Sequence, residues 1–317
     1  CINGKEFHLS LSMGISHYPT HSLESETLLA NADAALTRIK TDGGDGILCY
    51  SQDIHDKEQA WITLESDLRL AIERDELQLY YQPKITANQH RITGLEALIR
   101  WFKTDGRMVS PAEFIPIAEQ TGLIISIGDW VIKQAFRQLK SWQNLKTLDK
   151  DFSIAINLSA KQFQHADFIH NIKQYLTEVD IDPQFIELEI TESLLIGDID
   201  KSILIMHQLK NIGFKLSIDD FGTGYSSLSY LKQFPIDKLK IDRAFVMDIE
   251  SNNDDKILAK SIIDLAHNLN LSVIAEGVEN DQQLKIVEQL GAEEIQGFYF
   301  CKPKPANEIE EQYIKKS

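Results

Sequence analysis

From about residue 94 onward the chain is a series of short β-like runs, each ending in a side chain that can carry charge or hydrogen-bond strongly. Amphipathic stretches of helical period separate most of them. Gly94 and Leu95 lead to Glu96, Ser153 to Ile156 lead to Asn157, and Ile186 to Leu188 lead to Glu189. Leu216 to Ile218 end in the pair Asp219 and Asp220, Lys238 and Leu239 in Lys240, Ser272 to Ala275 in Glu276, and Glu294 and Ile295 in Gln296. This alternation predicts an α/β fold of the (β/α)8 barrel type. In such barrels the C-terminal ends of the strands meet at one mouth, so residues far apart in sequence converge there.

The first strand departs from the pattern. Leu77 to Lys84 is followed by only a few residues before the run carrying Glu96, whereas a parallel crossover needs a dozen or more. The connection from Ile85 to Arg91 is therefore expected to be a hairpin, with strand one antiparallel to strand two. That arrangement sets Gln82 opposite Leu95 and Glu96, so Gln82 joins the mouth from the other direction.

At 317 residues the chain can hold one barrel of roughly 250 residues and a smaller segment. A formal charge of -16 argues against general binding to DNA or RNA polymers, which calls for a basic footprint. Cys1, Cys49 and Cys301 show no CxxC spacing, which points to a reducing compartment and away from structural zinc. The histidines have no ligand spacing and none ends a β-like run. No apolar run reaches the ~20 residues that cross a bilayer, and a soluble, cytoplasmic chain is expected. Because the sequence starts inside a domain and without an initiator Met, it reads as a fragment of a larger sensor whose upstream part could be membrane-anchored.

Residues 1–50 do not follow the barrel pattern. Phe7 to Ser16 alternates as a strand, and Leu23 to Lys40 has helical spacing, with Leu28, Leu29, Ala32, Ala35, Leu36 and Ile39 on one side. Ile47 to Tyr50 could form a further strand. The intervening Gly43-Gly44-Asp45 lies in a run of turn-forming residues. Residues 51–75 are expected to be a helical linker and barrel entry, with Leu64, Leu68, Leu70 and Ile72 covering an apolar stripe, and residues 76–317 to be the barrel.

Carboxylates gathered at one mouth repel one another by roughly several kcal/mol at short range, and cations among them would relieve this. An all-oxygen donor set with one amide favours Mg²⁺ or Mn²⁺ over zinc. Adjacent aspartates at a strand end suit a two-metal centre, in which ions about 3.5 to 4 Å apart activate water and clamp a phosphodiester. The following Phe221 to Ser227 contains two glycines that permit unusual backbone angles, as a mobile loop requires, although a plain βα turn would look similar. Lys240 could hold a nucleophilic water or merely balance charge. Arg100, expected just past its strand end, suits phosphate or guanine recognition, or a surface salt bridge.

These residues stand in motifs that resemble the EAL domain. Glu96-Ala97-Leu98-Ile99-Arg100-Trp101 is similar to its naming motif. Tyr81-Gln82-Pro83, Phe114 to Glu119, Asn157-Leu158-Ser159 with Gln162-Phe163, and Glu189-Ile190-Thr191-Glu192 follow in order. Asp219 to Gly224, Lys240-Ile241-Asp242, Ala275 to Glu279 and Gln296-Gly297-Phe298 complete the series, over about Leu64 to Pro305. Upstream, Ser12 to Ser16 and Ala32 to Leu36 with Lys40 resemble the last third of a GGDEF domain. Gly43-Gly44-Asp45 follows that helix and continues as Gly46-Ile47, so it does not resemble the cyclase signature in place or in completion.

The resemblance implies a TIM-like barrel with an antiparallel first strand, preceded by a partial α/β GGDEF fragment. It implies one metal held by Glu96, Asn157, Glu189 and Asp219, and a second by Asp219, Asp220 and Glu276, with Asp219, Glu276 and Lys240 as catalytic residues. Lys240 would orient water, and Glu192 would anchor the loop from Phe221. Gln82, Arg100, Asp242, Glu279 and Gln296 would support substrate or ligands. Phe298 and Cys301 depart from the family's usual Tyr and Ser, which bears on packing or guanine contacts. The implied activity is metal-dependent hydrolysis of cyclic di-GMP to linear 5′-pGpG, by a homodimer with upstream sensory domains. The alternatives are a cyclic di-GMP receptor that does not cut its ligand, and an unrelated metal-dependent barrel enzyme with Lys240 as a base.

Overall fold

In the strand Ile186–Thr191, Glu187 and Glu189 alternate with Leu188 and Ile190, and all four are buried. Side chains of a strand point alternately to its two faces, so one face of this strand is apolar and the other carries carboxylates. A polar face without access to water must find partners across an enclosed space. The fold provides that space as the interior of a closed barrel.

The computed structural model describes residues 10–41, 44–145, 148–149, 152–195, 198–222 and 228–315. Two units are resolved by their internal contacts, residues 1–70 and 71–317. In the first, β1 (Ser12–Ile15) pairs in parallel with β2 (Gly46–Cys49), and the helix Ser25–Thr41 connects them. The helix lies so close to β1 that a Cβ on Gly14 would meet Ala32 O at 2.0 Å and Leu36 N at 2.5 Å. Leu29 is exposed, unlike Ala35, because it stands about 120° round the helix from Ala35, beyond the edge of the packed face. Of the strand expected from Phe7 to Ser16, residues 7–9 lie outside the described residues and β1 falls within the remainder. Gly44 and Asp45 both have positive φ, 77° and 57°, as a turn requires. The helix Gln52–Ala71 follows. Leu68 is buried while Leu70 is 37% exposed, again because Leu70 leaves the i, i+4 row of Leu64, Leu68 and Ile72.

The second unit begins with β3 (Leu77–Thr86), which pairs antiparallel with β4 (Ile92–Phe102) so that Gln82 faces Glu96. β5 (Met108–Val109) pairs with the far end of β4. Then come β6 (Ser153–Leu158), β7 (Ile186–Thr191), β8 (Lys215–Phe221), β9 (Lys238–Ile241), β10 (Ser272–Ala275) and β11 (Glu294–Ile295). From β4 through β6 to β11 each pairs in parallel with the next, and β11 closes antiparallel onto β3. β12 (Lys304–Pro305) covers part of β3. The eight strands β3, β4 and β6 to β11 thus form a closed, TIM-like barrel.

Helices separate most of the parallel strands, as crossover geometry demands. The helix Leu123–Gln143 buries Ile124, Ile127, Val131, Ala135, Leu139 and Trp142, a row at helical spacing. The helix Asp281–Leu290 shows how such segments are bounded. Asn280 Oδ1 accepts from the amides of Gln282 and Gln283, and Gly291 ends the helix at φ 104°. Such a cap contributes about 1 kcal/mol. No helix among the described residues is long and apolar enough to cross a membrane.

Candidate active site

The inward positions of the strands fall into levels. At the upper level stand Gln82 on β3, Glu96 on β4, Asn157 on β6, Glu189 on β7, Asp219 on β8 and Lys240 on β9, with Glu276 and Gln296 just beyond β10 and β11. Several of these sit inside strands and not at their ends. β4 in particular runs on to Phe102, because β3 and β5 continue to pair with it. This corrects the placement of Arg100, which lies within β4 opposite Gln78 and not beyond the strand. Its guanidinium donates to Ile99 O and stands 5.7 Å from the Tyr80 ring centroid. Burial lowers its pKa, with the charge of Glu96 opposing.

At the end of β8 the pleat is broken. Pairing with β9 slips between Ile218 and Phe221, and Asp220 adopts φ 53°, a left-handed conformation that Asp tolerates better than most residues. The turn lets neighbouring side chains serve one site, with carboxylate oxygens of Asp219, Asp220 and Glu276 all within 4.8 Å of one another. Asp219 Oδ1 also accepts from the amide of Asp220.

Lys240 is buried in the centre of this arrangement. Its ammonium lies 2.7 Å from Glu189 Oε2, 3.0 Å from Asp219 Oδ1 and 2.7 Å from Glu276 Oε1. The Glu276 contact is an ion pair without hydrogen-bond direction. Burial disfavours the ammonium, but Glu189, Glu276, Glu96 and Asp219 outweigh it and hold its pKa well above the usual value.

Opposite Lys240, Glu96 is held by amides. Asn157 Nδ2 donates to Oε1 at 2.6 Å and Gln296 Nε2 to Oε2. Gln296 Nε2 also reaches Gln82 Oε1 at 3.1 Å, and Gln82 Nε2 donates to Cys301 O at 3.0 Å. Asn157 itself is exposed at the mouth. One lysine does not neutralise this many carboxylates. Burial, joined by the charges of Glu189 and Asp219, raises the Glu96 pKa to about 7. Burial, Asp219 and Asp242 raise that of Asp220 to about 6, and burial with the neighbouring carboxylates puts Glu276 well above its ordinary range. Glu189 moves the other way, because Lys240 and Lys84 overcome its burial.

Around this centre, Glu192 Oε2 accepts from Gly222 N at 3.0 Å, at the start of the glycine-containing loop. Residues 223–227 of that loop lie outside the described residues. Asp242 Oδ1 accepts from Ala244 N. Glu279 is exposed and its carboxylate pairs with Arg243 at 3.4 Å. The structure therefore brings together Glu96, Asn157, Glu189, Asp219, Asp220, Lys240 and Glu276, with Gln82 and Gln296 as hydrogen-bonding support. Arg100 and Glu279 stand at the margin.

Lys84 was not singled out by sequence reasoning. Its side chain is 1% exposed and its ammonium bonds Glu189 Oε1 at 2.7 Å and Glu187 Oε1 at 2.9 Å. The signal was period two, since Lys84 shares a strand face with Gln82 as Glu187 does with Glu189.

A closed α/β barrel whose mouth gathers acidic side chains around a buried lysine belongs to the class of barrels that work through charged groups at their C-terminal face. Within that class the chain belongs to the EAL domain family, whose profile matches residues 65–303. It is 40% identical over 308 residues to the bifunctional diguanylate cyclase/cyclic di-GMP phosphodiesterase MucR of Pseudomonas aeruginosa, covering 97% of this chain and 45% of that protein. It is 38% identical over 311 residues to the cyclic di-GMP phosphodiesterase PdeR of Escherichia coli, covering 97% of this chain and 46% of that one. The chain thus spans less than half the length of these relatives. Among solved structures, the PaMucR phosphodiesterase in complex with c-di-GMP superposes with a TM-score of 0.75 at 43% identity, covering 78% of this chain and 99% of that one.

Proposed function

We propose that this chain is a metal-dependent phosphodiesterase that hydrolyses cyclic di-GMP to linear 5′-pGpG. The observation that carries the reading is the charge imbalance at the mouth. The Lys240 ammonium contacts three carboxylates at once, while Glu96 and Asp220 are left with raised pKa values. That environment suits further cations. The donors are carboxylate and amide oxygens, which fit Mg²⁺ or Mn²⁺. Glu96, Asn157, Glu189 and Asp219 would hold one ion, and Asp219, Asp220 and Glu276 a second. When bound, such ions supply charge neutralisation for a phosphodiester and acidity for water. The similarity to MucR and PdeR supports cyclic di-GMP as the substrate.

The protein's own groups divide the remaining work. Lys240, permanently charged, holds the attacking water and offsets negative charge developing on the phosphoryl oxygens. Gln296 and Asn157 keep the Glu96 carboxylate in one orientation, and Gln82 secures Gln296. Glu192 fixes Gly222, where the glycine-containing segment begins. Arg100 donates to a phosphate oxygen or a guanine edge. Asp242 and Glu279 support the mouth from its rim.

In the same reading, residues 1–50 are the last part of a GGDEF domain without a cyclase site, 51–75 the linker, and 76–317 the phosphodiesterase barrel. The chain works in the cytoplasm as a homodimer within a longer sensor. The test is to incubate the purified chain with cyclic di-GMP and Mg²⁺ or Mn²⁺ and resolve the products. Metal-dependent appearance of pGpG is expected. Binding without pGpG would select a receptor instead.

A further inference from the structure

We propose that Lys84 is a positioning residue for the acidic mouth, gripping one oxygen of Glu189 from inside the barrel so that the other is presented to a bound cation. The inference rests on the mouth binding divalent cations and extends that reading to a residue it does not use.

The two oxygens of Glu189 are held by different lysines from opposite directions. Oε2 faces Lys240 at the mouth, and Oε1 accepts from Lys84 below it, each at 2.7 Å. A cation that takes the Oε2 side competes with Lys240 for that oxygen. Lys84 does not compete, because it holds the other one. A carboxylate anchored through one oxygen keeps its second aimed, as hydrogen-bonded metal ligands generally do.

Lys84 reaches this position across the barrel. It stands on β3, and β4 and β6 separate that strand from β7. Its ammonium is enclosed, so the pairing with Glu187 and Glu189 must offset a desolvation cost of several kcal/mol. Below it the charges continue to alternate, with Glu187 Oε2 3.1 Å from Lys238, and Lys238 paired with Glu294. This lower end borders a cavity of about 280 Å³ lined by Lys84, Glu187, Lys238 and Glu294 among others. Glu187 spends both oxygens on lysines of the lower layer, whereas Glu189 spends only one there. A device whose sole purpose was to stabilise the lower layer would have no need to reach Glu189.

Calorimetric titration of the full chain with Mn²⁺ alone tests this. For Lys84→Met the affinity should fall by roughly 10-fold to 100-fold, the usual effect of losing a group that orients a metal ligand. At saturating Mn²⁺ kcat should return toward the wild-type value, since Lys84 touches neither ion nor substrate. In a Glu189→Gln background, Lys84→Met should cause no further loss. An Mn²⁺ affinity within twofold of wild type, whatever happens to the melting temperature, or an undiminished further loss in the double variant, overturns the proposal. If Lys84→Met does not fold, Lys84→Gln keeps a donor but loses the charge. It should weaken Mn²⁺ binding by about threefold or more, and unchanged affinity there would also overturn the proposal. Wild type that binds no Mn²⁺ would sink the proposed function and this inference together. Equal binding by wild type and Lys84→Met would sink this inference alone.

Discussion

Two levels of the same barrel interior, one step of the pleat apart, treat charge in opposite ways. In the lower, Glu187 and Glu294 alternate with Lys84 and Lys238, each carboxylate facing an ammonium. In the upper, Glu96, Glu189, Asp219, Asp220 and Glu276 gather around Lys240, and Lys84 reaches up to Glu189 but to none of the other four. The consequence is visible in proton affinity. Although burial opposes it, Glu187 is held far below the ordinary carboxylate range by Lys238 and Lys84, whereas burial and like charge push Glu96, Asp220 and Glu276 upward. Burial is common to both levels, so burial alone does not mark a site. The imbalance does, because a fold gains nothing from uncompensated carboxylates unless something positive joins them.

The largest expected effect comes from removing charge at the upper level. Asp219→Asn should reduce hydrolysis of cyclic di-GMP by roughly 10²-fold to 10³-fold, the scale seen when one preorganised electrostatic contact is lost. In EDTA its melting temperature should hold or rise, because a source of like-charge repulsion has gone. Near-wild-type turnover at ordinary Mg²⁺ would show that the site had been assembled from the wrong residues.

Lys240→Ala probes the opposite sign at the same level. It strands Glu189, Asp219 and Glu276 without their shared ammonium, and the metal-free chain should lose about 3–5 kcal/mol, as broken buried pairs do. Urea titration in EDTA measures this. Added Mn²⁺ should recover most of the loss, because cations supply the missing charge, while the chemical step stays slow. A metal-free stability equal to wild type would mean that Lys240 is not what holds the cluster together.

At the lower level the expected effect is smallest. Glu294→Gln removes one member of a pair whose side chains are 12% and 16% exposed. Lys238 keeps its pairing with Glu187, so the change should cost about 1.5–3 kcal/mol, the worth of a hydrogen bond to a charged group, and leave kcat/KM unchanged. A large loss of activity would erase the distinction between the two levels.

Sequence reasoning reached the upper level because its residues follow short apolar runs, a local signal. Glu96, Glu189 and Lys240 could each be found without knowing their partners. Lys84 could not, because its carboxylates lie 103 and 105 residues away, and a lysine in a strand ordinarily marks a solvent face. Only the shared parity of Gln82 and Lys84, of Glu187 and Glu189, and of Lys238 and Lys240 carries a signal for it, and parity has meaning only once a closed interior is assumed. Arg100 was misplaced for a related reason. The strand was ended where its first polar residues appear, while the hairpin with β3 and the short β5 carries it on to Phe102. Leu29 and Leu70 fell outside their buried rows because hydrophobicity was weighed ahead of angle. The slip in β8 that brings Asp219 and Asp220 to one site was legible as an adjacent pair, but not the φ of 53° that makes it possible.

The central claim is that the upper level is an unbalanced acidic cluster completed by divalent cations. It is tested most directly by melting temperature as a function of pH, with EDTA and with Mn²⁺. Carboxylates whose folded pKa is raised contribute stability that is present below their unfolded values near pH 4 and lost as pH climbs through the folded ones. For Asp220 and Glu96 those folded values are about 6 and about 7. Between pH 5 and pH 8 the metal-free chain should therefore become less stable, and the gain on adding Mn²⁺ should grow over the same interval. A metal-free melting temperature that is flat or rising across that range, with no growing response to Mn²⁺, would contradict the account.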